Sequence, residues 1–218
     1  MPGKLYYFDI GGRAEAIRAL CADANFDYED CRLTQEEFEA KKAEGFFPLG
    51  SMPVWEEEGA VYPQCSAILR MLGIRCGYYS EDPMTCWAID SLVDFHEDHL
   101  NKFTAYLFPI MKGNQPSDDA SDWFSDFWEK VMPLVEKRME EHGKPWIGGT
   151  DSITIADFKA FAPISISLSD CNSACAVPAA VQEALKARMA KYPHYVRWVE
   201  SMKTKLATYQ SSRPARPL

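Results

Sequence analysis

The stretch GSMPVWEEEGAVYPQCSAILRMLG, residues 50–73, decides the fold of the first third of the chain. MPVWEEEGAVYPQ reads as a hairpin: an apolar strand, a turn around Glu58–Gly59, and a second short strand. CSAILRMLG, residues 65–73, follows as a helix that is expected to stop at Gly73. Pro53 has no amide to donate to a ladder, so its strand must begin there or lie at a sheet edge. Met52 before it is pushed to an extended conformation, which leaves its backbone open to another partner. Gln64 and Cys65 open a helix, where unpaired amides and the dipole favour a carboxylate. The stretch thus sets a strand-like backbone edge beside an anion site, which suits a short, extended, carboxylated peptide. A structural turn followed by an ordinary helix start explains the same residues equally well.

Upstream, KLYYF (4–8) reads as a strand ended by the Gly11–Gly12 turn, and RAEAIRALCADA (13–24) puts Ile17, Leu20, Cys21 and Ala24 on one helical face. FDYEDCRL (26–33) alternates like a second strand, and TQEEFEAKKAEG (34–45) is a short helix opening on a Thr–Glu capping pattern. The order βαβ, then ββα, is an α/β unit of the thioredoxin-like kind.

Downstream of residue 74 the strand signals stop. Long helices are expected over 84–112 and 122–143, a loop over 113–121, and further helices near 178–191 and 193–207. In SITIADF (152–158), Thr154 and Asp157 make a capping-box pattern, with Ile153 and Phe158 as its hydrophobic staple. The expected organisation is a thioredoxin-like α/β domain at 1–76, a linker at 77–83 and an all-α domain at 84–218.

The totals narrow the function. The 218 residues are 47% hydrophobic and 25% charged, with no apolar run long enough to span a membrane. The N-terminus lacks the charged start and apolar run of a secretory signal, so the expected location is cytoplasmic. A net charge of -9 argues against a nucleic-acid partner, which demands a basic face. Seven scattered cysteines fit free thiols in a reducing compartment. His96 and His99, and Cys171 with Cys175, match no zinc pattern, so no metal is expected.

LYYFDIGGRAEAIR (5–18), the 50–73 stretch, DSLVDFHED (90–98) and SITIADF together resemble the tyrosine-type cytosolic glutathione S-transferases, sigma-like or pi-like in class. That resemblance implies conjugation of glutathione, as co-substrate and without a further cofactor, to hydrophobic electrophiles in detoxification. Tyr7 matches the family's catalytic tyrosine, a hydroxyl donor that favours the glutathione thiolate. Tyr6 competes with it but faces the other way on an alternating strand. Arg13 matches an arginine beside that hydroxyl, although a solvated first-turn arginine would look the same. The resemblance further implies that Met52, with Pro53 cis, pairs with the cysteinyl backbone, and that Gln64 and the Cys65 amide hold the γ-glutamyl end. Asp98 would reach that end from the neighbouring subunit of a homodimer, or is simply a carboxylate on a helix face. Phe38 would lie at the glycyl end, where Lys42 or Lys41 would supply the positive charge. Phe8, Ile10, Tyr106 and Phe108 would line the electrophile pocket, or belong to the core.

Several residues depart from the family pattern. Cys65 replaces a common serine, and its thiol at a helix N-terminus is expected to form a mixed disulfide with glutathione. Phe38 replaces a common tryptophan donor, Glu44 a common lysine, and Gly11 a frequent arginine, so weaker glutathione binding is expected. Those losses keep open a non-enzymatic structural or ligand-carrying relative, and the same site would serve a glutathione-dependent isomerase or peroxidase. A thiol oxidoreductase using Cys65 is less well supported, because no C-x-x-C pair exists.

Overall fold

The structure, a computed structural model, describes residues 2–111, 114, 118–167 and 179–213, without the side chains of 99, 101–108, 110–111, 118–127, 166–167 and 179–181. Strand β1 (Gly3–Phe8) leads through a 3-10 turn (Gly12–Ala14) into helix α1 (Glu15–Asp23). Strand β2 (Tyr28–Leu33), helix α2 (Gln35–Ala43), strands β3 (Val54–Glu57) and β4 (Ala60–Pro63), and helix α3 (Cys65–Cys76) follow. The sheet order is β2-β1-β3-β4, with β1 parallel to β2 and antiparallel to β3. This is the thioredoxin-like arrangement expected from the sequence.

The hairpin forms where its turn residues allow it: Glu58 and Gly59 both take positive φ, 52° and 80°, the backbone a two-residue turn requires. The Thr34 capping box is complete, with Glu37 N donating to Thr34 Oγ1 at 3.2 Å and Thr34 N to Glu37 Oε2 at 2.8 Å.

Gly73 is not the end of α3. The helix runs on to Cys76 and closes on Gly77, which is left-handed at φ 79°. A Cβ on Gly73 would lie 2.3 Å from Ile155 Cγ2, so this glycine permits a close helix approach and is no stop signal.

The remaining elements are helical: α4 (Pro83–Met111), α5 (Asp118–His142), α6 (Ile155–Ser167), α7 (Ala179–Met189), α8 (Pro193–Lys205) and α9 (Ala207–Ser212). Helix α5 starts four residues earlier than expected, and the expected last helix is divided into α8 and α9. Among the described residues, no helix is long and apolar enough to cross a membrane.

One large core joins the two halves, from Leu5, Ile17 and Trp55 through Ile89 and Phe158 to Trp198. The other sheet face buries a smaller cluster of Tyr6, Leu33, Phe38, Phe47 and Val54. The 77–82 connection is pinned to the core: Tyr78 stacks edge-on against Phe158 at 5.1 Å, its hydroxyl donates to Asp23 at 2.7 Å, and its carbonyl accepts from Ile155 N at 3.0 Å.

Asp157 anchors the start of α6. Its carboxylate accepts from Thr154 N and Oγ1, from Ile147 N and from Trp198 Nε1, at 2.8 to 3.1 Å. Thr154 thus donates its hydroxyl to the acid, whereas a full capping box would have it accept the Asp157 amide. Burial raises the Asp157 carboxyl to about 6, against the pull of these donors. The native state then holds a proton between pH ~4 and 6 that the unfolded chain has released, so this group's contribution to stability falls as pH rises across that window. Asp157→Ala should lower stability by about 3 kcal/mol or more, since each buried donor left unpaired costs about 1–3 kcal/mol. Urea unfolding is expected to show that loss, and to show the variant's stability changing less between pH ~4 and 6 than the parent's.

Candidate functional site

Strand alternation separates the two tyrosines. Tyr6 turns to the small cluster, where its hydroxyl donates to Glu56 at 2.7 Å. Tyr7 turns to the large core side and is 7% exposed, at the end of β1 where the chain enters the 3-10 turn. There the Arg13 amide donates to Tyr7 Oη at 3.2 Å. That bond occupies an oxygen lone pair and leaves the phenolic proton to point elsewhere. Burial raises the Tyr7 pKa above its ordinary value, with the Arg13 amide and guanidinium opposing, so near neutrality the phenol keeps its proton and acts as a donor. Gly12, at φ 46°, admits the approach: a Cβ there would lie 2.7 Å from Tyr7 Oη.

The turn is held from beneath by Arg18. Its side chain is 1% exposed and donates to the carbonyls of Ile10 at 2.6 Å, Phe8 at 3.3 Å and Gly11 at 3.4 Å, and to Asp30. Its guanidinium carbon lies 5.8 Å from the Tyr7 ring centroid. Sequence reasoning missed Arg18 because α1 is covered on more than one side, by α3, α6 and α9, so burial is wider than the one apolar face expected.

The Met52–Pro53 bond is cis, immediately before β3. Met52 is half-buried and Pro53 buried. Gln64 occupies the N-cap position of α3 at φ 78°, ψ 111°, a strained setting for a non-glycine residue, and its side chain is exposed. Phe38 packs at 5.5 Å from Phe8 and 5.1 Å from Phe47, as part of the small cluster. Lys42 extends over the Phe38 ring at 5.4 Å. Lys41 is turned instead to the Tyr6 and Phe46 rings. Phe8 and Ile10 are half-buried. The side chains of Tyr106 and Phe108 lie outside the described residues. Asp98 is exposed on α4.

Cys65 differs from expectation. Its thiol is buried, 4% exposed, and donates inward to the Arg13 carbonyl at 3.0 Å. Only its position as first residue of α3 still bears on an anion, and the expected mixed disulfide meets a sheltered sulfur. Behind it lies a charged group that sequence reasoning did not assemble: Glu97 of α4 pairs with both Arg13 and Lys159 of α6, and Lys159 Nζ stands 3.7 Å from Cys65 Sγ. Lys159 is 3% exposed, and its burial lowers the ammonium's pKa. A lysine two residues after Asp157, in the largely apolar run IADFKAFAPI, was the available signal.

No family model matches the chain. The sequence is 32% identical over 157 residues to Glutathione S-transferase 1 of Ascaris suum, covering 71% of this chain and 74% of that protein. It is equally 32% identical over 157 residues to the hematopoietic prostaglandin D synthase of Gallus gallus, with the same shares. Among solved structures, a Nu-class GST from Haemonchus contortus superposes with a TM-score of 0.77 at 30% identity over 98% of this chain and 97% of that one. The glutathione S-transferase from Ascaris lumbricoides gives a TM-score of 0.77 at 26% identity, covering 98% of each chain.

The burial of Cys65 sets a measurable expectation. With a small alkylating reagent, followed by peptide mass mapping, Cys65 should react at least about tenfold more slowly in the folded protein than in urea. Equal rates in both would show an accessible thiol.

Proposed function

Because the chain belongs to the glutathione S-transferase family and conjugates glutathione, we propose that Tyr7 is the group that holds the glutathione sulfur as a thiolate. The observation that carries this reading is the Arg13 amide on Tyr7 Oη, which commits the oxygen as acceptor and leaves the O–H to donate. A free thiol of pKa roughly 8.5 is only a few per cent thiolate at pH 7. A fixed donor aimed at the sulfur stabilises the anion and so raises the fraction ready to attack. The sulfur lone pair then forms the S–C bond to the electrophile, the thiol proton having left to solvent. The leaving group takes the displaced electron pair.

The rest of the site follows the bound tripeptide in this reading. The Met52 backbone beside cis-Pro53 receives the cysteinyl portion. Gln64 and the Cys65 amide at the start of α3 receive the γ-glutamyl carboxylate, supported by the unpaired amides of a helix N-terminus. Lys42 serves the glycyl carboxylate across the Phe38 ring, and the ring itself gives no hydrogen bond. Asp98, exposed on α4, would meet the γ-glutamyl amine of a second subunit in a homodimer. Phe8 and Ile10, with Tyr106 and Phe108, form the apolar wall for the electrophile. A reducing, cytoplasmic compartment is supported by the free thiols of Cys21, Cys31, Cys65, Cys76 and Cys86, and a detoxifying role follows from conjugation of hydrophobic electrophiles.

A second reading, glutathione-dependent isomerisation, is favoured by the similarity to hematopoietic prostaglandin D synthase. Both readings need the same thiolate. Tyr7→Phe tests it directly. Conjugation of chlorodinitrobenzene is expected to fall about 10²-fold near neutrality, the usual cost of removing one anion-stabilising donor. The ultraviolet thiolate band of bound glutathione should disappear with it. Full activity in the Phe variant would remove Tyr7 from this role.

A further inference from the structure

Lys159 requires an explanation that stability does not supply. A buried ion pair is commonly replaced by apolar side chains at no loss, because desolvation offsets the attraction. Here the lysine occupies a helix whose neighbours Ala156, Phe158, Ala160, Phe161 and Ile164 are all buried. Its ammonium reaches the same carboxylate, Glu97, that pairs with Arg13. It also stands 3.7 Å from the Cys65 sulfur, whose thiol holds the Arg13 carbonyl. Arg13 is therefore held by its amide to Tyr7, its carbonyl to Cys65 and its guanidinium to Glu97. Lys159 touches two of those three partners.

We propose that Lys159 is a positioning residue for the thiolate site: it shares the Glu97 carboxylate with Arg13, and so sets a second buried positive charge against that carboxylate and makes the potential beside Tyr7 more positive. The proposal rests on the reading of Tyr7 given above. Without Lys159, that second positive charge is lost, and the potential favouring an anion beside the phenol falls. Burial strengthens the effect, since charges in a site of low dielectric act with less screening than at the surface.

The charged and titratable groups facing this cluster are few among the described residues. Arg18 lies under the Tyr7 ring and is paired with Asp30. Asp94, exposed on α4, is bound by Arg70 of α3 and acts on Lys159 from a distance. Cys65 faces Lys159 from α3. Burial lowers the Lys159 pKa and Arg13 adds to that, while Cys65 and Asp94 oppose it.

The test is the pH profile of kcat/KM for conjugation of chlorodinitrobenzene by the full chain and its variants. In Lys159→Met the acid limb should move up by about one pH unit, giving roughly tenfold lower kcat/KM near pH 6 and less than about threefold loss at pH 9. Lys159→Arg keeps the charge and should restore the parent limb. Glu97→Gln removes the shared carboxylate and should move the limb the other way, to lower pH. It carries the test alone if Lys159→Met does not fold. A limb that stays in place in the Met variant, or a uniform loss at every pH, makes Lys159 merely structural and overturns the proposal. An unmoved or raised limb in Glu97→Gln does the same. Tyr7→Phe run beside them separates the two claims. If it is impaired while Lys159→Met keeps the parent limb, only the Lys159 proposal falls. If Tyr7→Phe matches the parent, the Tyr7 reading falls and takes the proposal with it.

Discussion

The Arg13 amide donates to Tyr7 Oη at 3.2 Å, and the direction of one phenolic proton depends on that bond. A tyrosine at the end of a strand has a hydroxyl that can rotate; with a lone pair already engaged, its donor side is committed. The bond exists only because the chain turns sharply after β1, and the turn exists only because Gly12 adopts φ 46° with no Cβ to push against the phenol. Arg18 then donates to the carbonyls of Ile10 and Gly11 in the turn and of Phe8 at the end of β1. Backbone shape, buried cation and phenol orientation are one construction.

The rest of the molecule holds that construction still. The Arg13 carbonyl is engaged by α3, and its side chain by α4, which also reaches α6 through Lys159. Helix α6 is in turn fixed by Asp157, whose carboxylate gathers donors from the loop before the helix, from Ile147 and from Trp198 of α8. The turn that holds Tyr7 and Arg13 is thereby tied to helices more than 80 residues away. Glutathione chemistry of this type needs a donor placed to within a fraction of an ångström, and such placement comes from packed, hydrogen-bonded support more than from the local chain.

The fold was legible because its determinants are local. Alternation in KLYYF, the Glu58–Gly59 turn and the Thr34 capping pattern each name a conformation that tertiary contacts did not need to override. Gly73 was misread for the opposite reason. A glycine at the end of an apolar run looks like a stop, and only the neighbouring Ile155 shows that it makes room. At the site, Tyr7 faces the side that strand alternation gives it and α3 starts at Cys65 as its sequence indicates, while the cis bond before Pro53 was implied only by the family resemblance. Arg18, Glu97 and Lys159 were not legible. A charged residue among apolar ones reads as solvated unless its partner is known, and these partners come from distant segments.

Cys65 shows how an amino-acid change can alter a site without touching its ligand. A serine at the start of α3 can turn its hydroxyl toward an anion, since oxygen both donates and accepts strongly. Sulfur is larger, less polar and favours burial, and here the thiol points away from the helix end to the Arg13 carbonyl and the Lys159 ammonium. At residue 65 only the backbone amide then faces the helix end, while the side chain joins Arg13 and Lys159. A lysine buried behind a cysteine fits that change: a polarisable sulfur accepts an ammonium beside it better than an alkyl group would, which makes an otherwise costly buried cation tolerable. The cysteine at 65 and the lysine at 159 thus act as one contact in the wall behind Arg13.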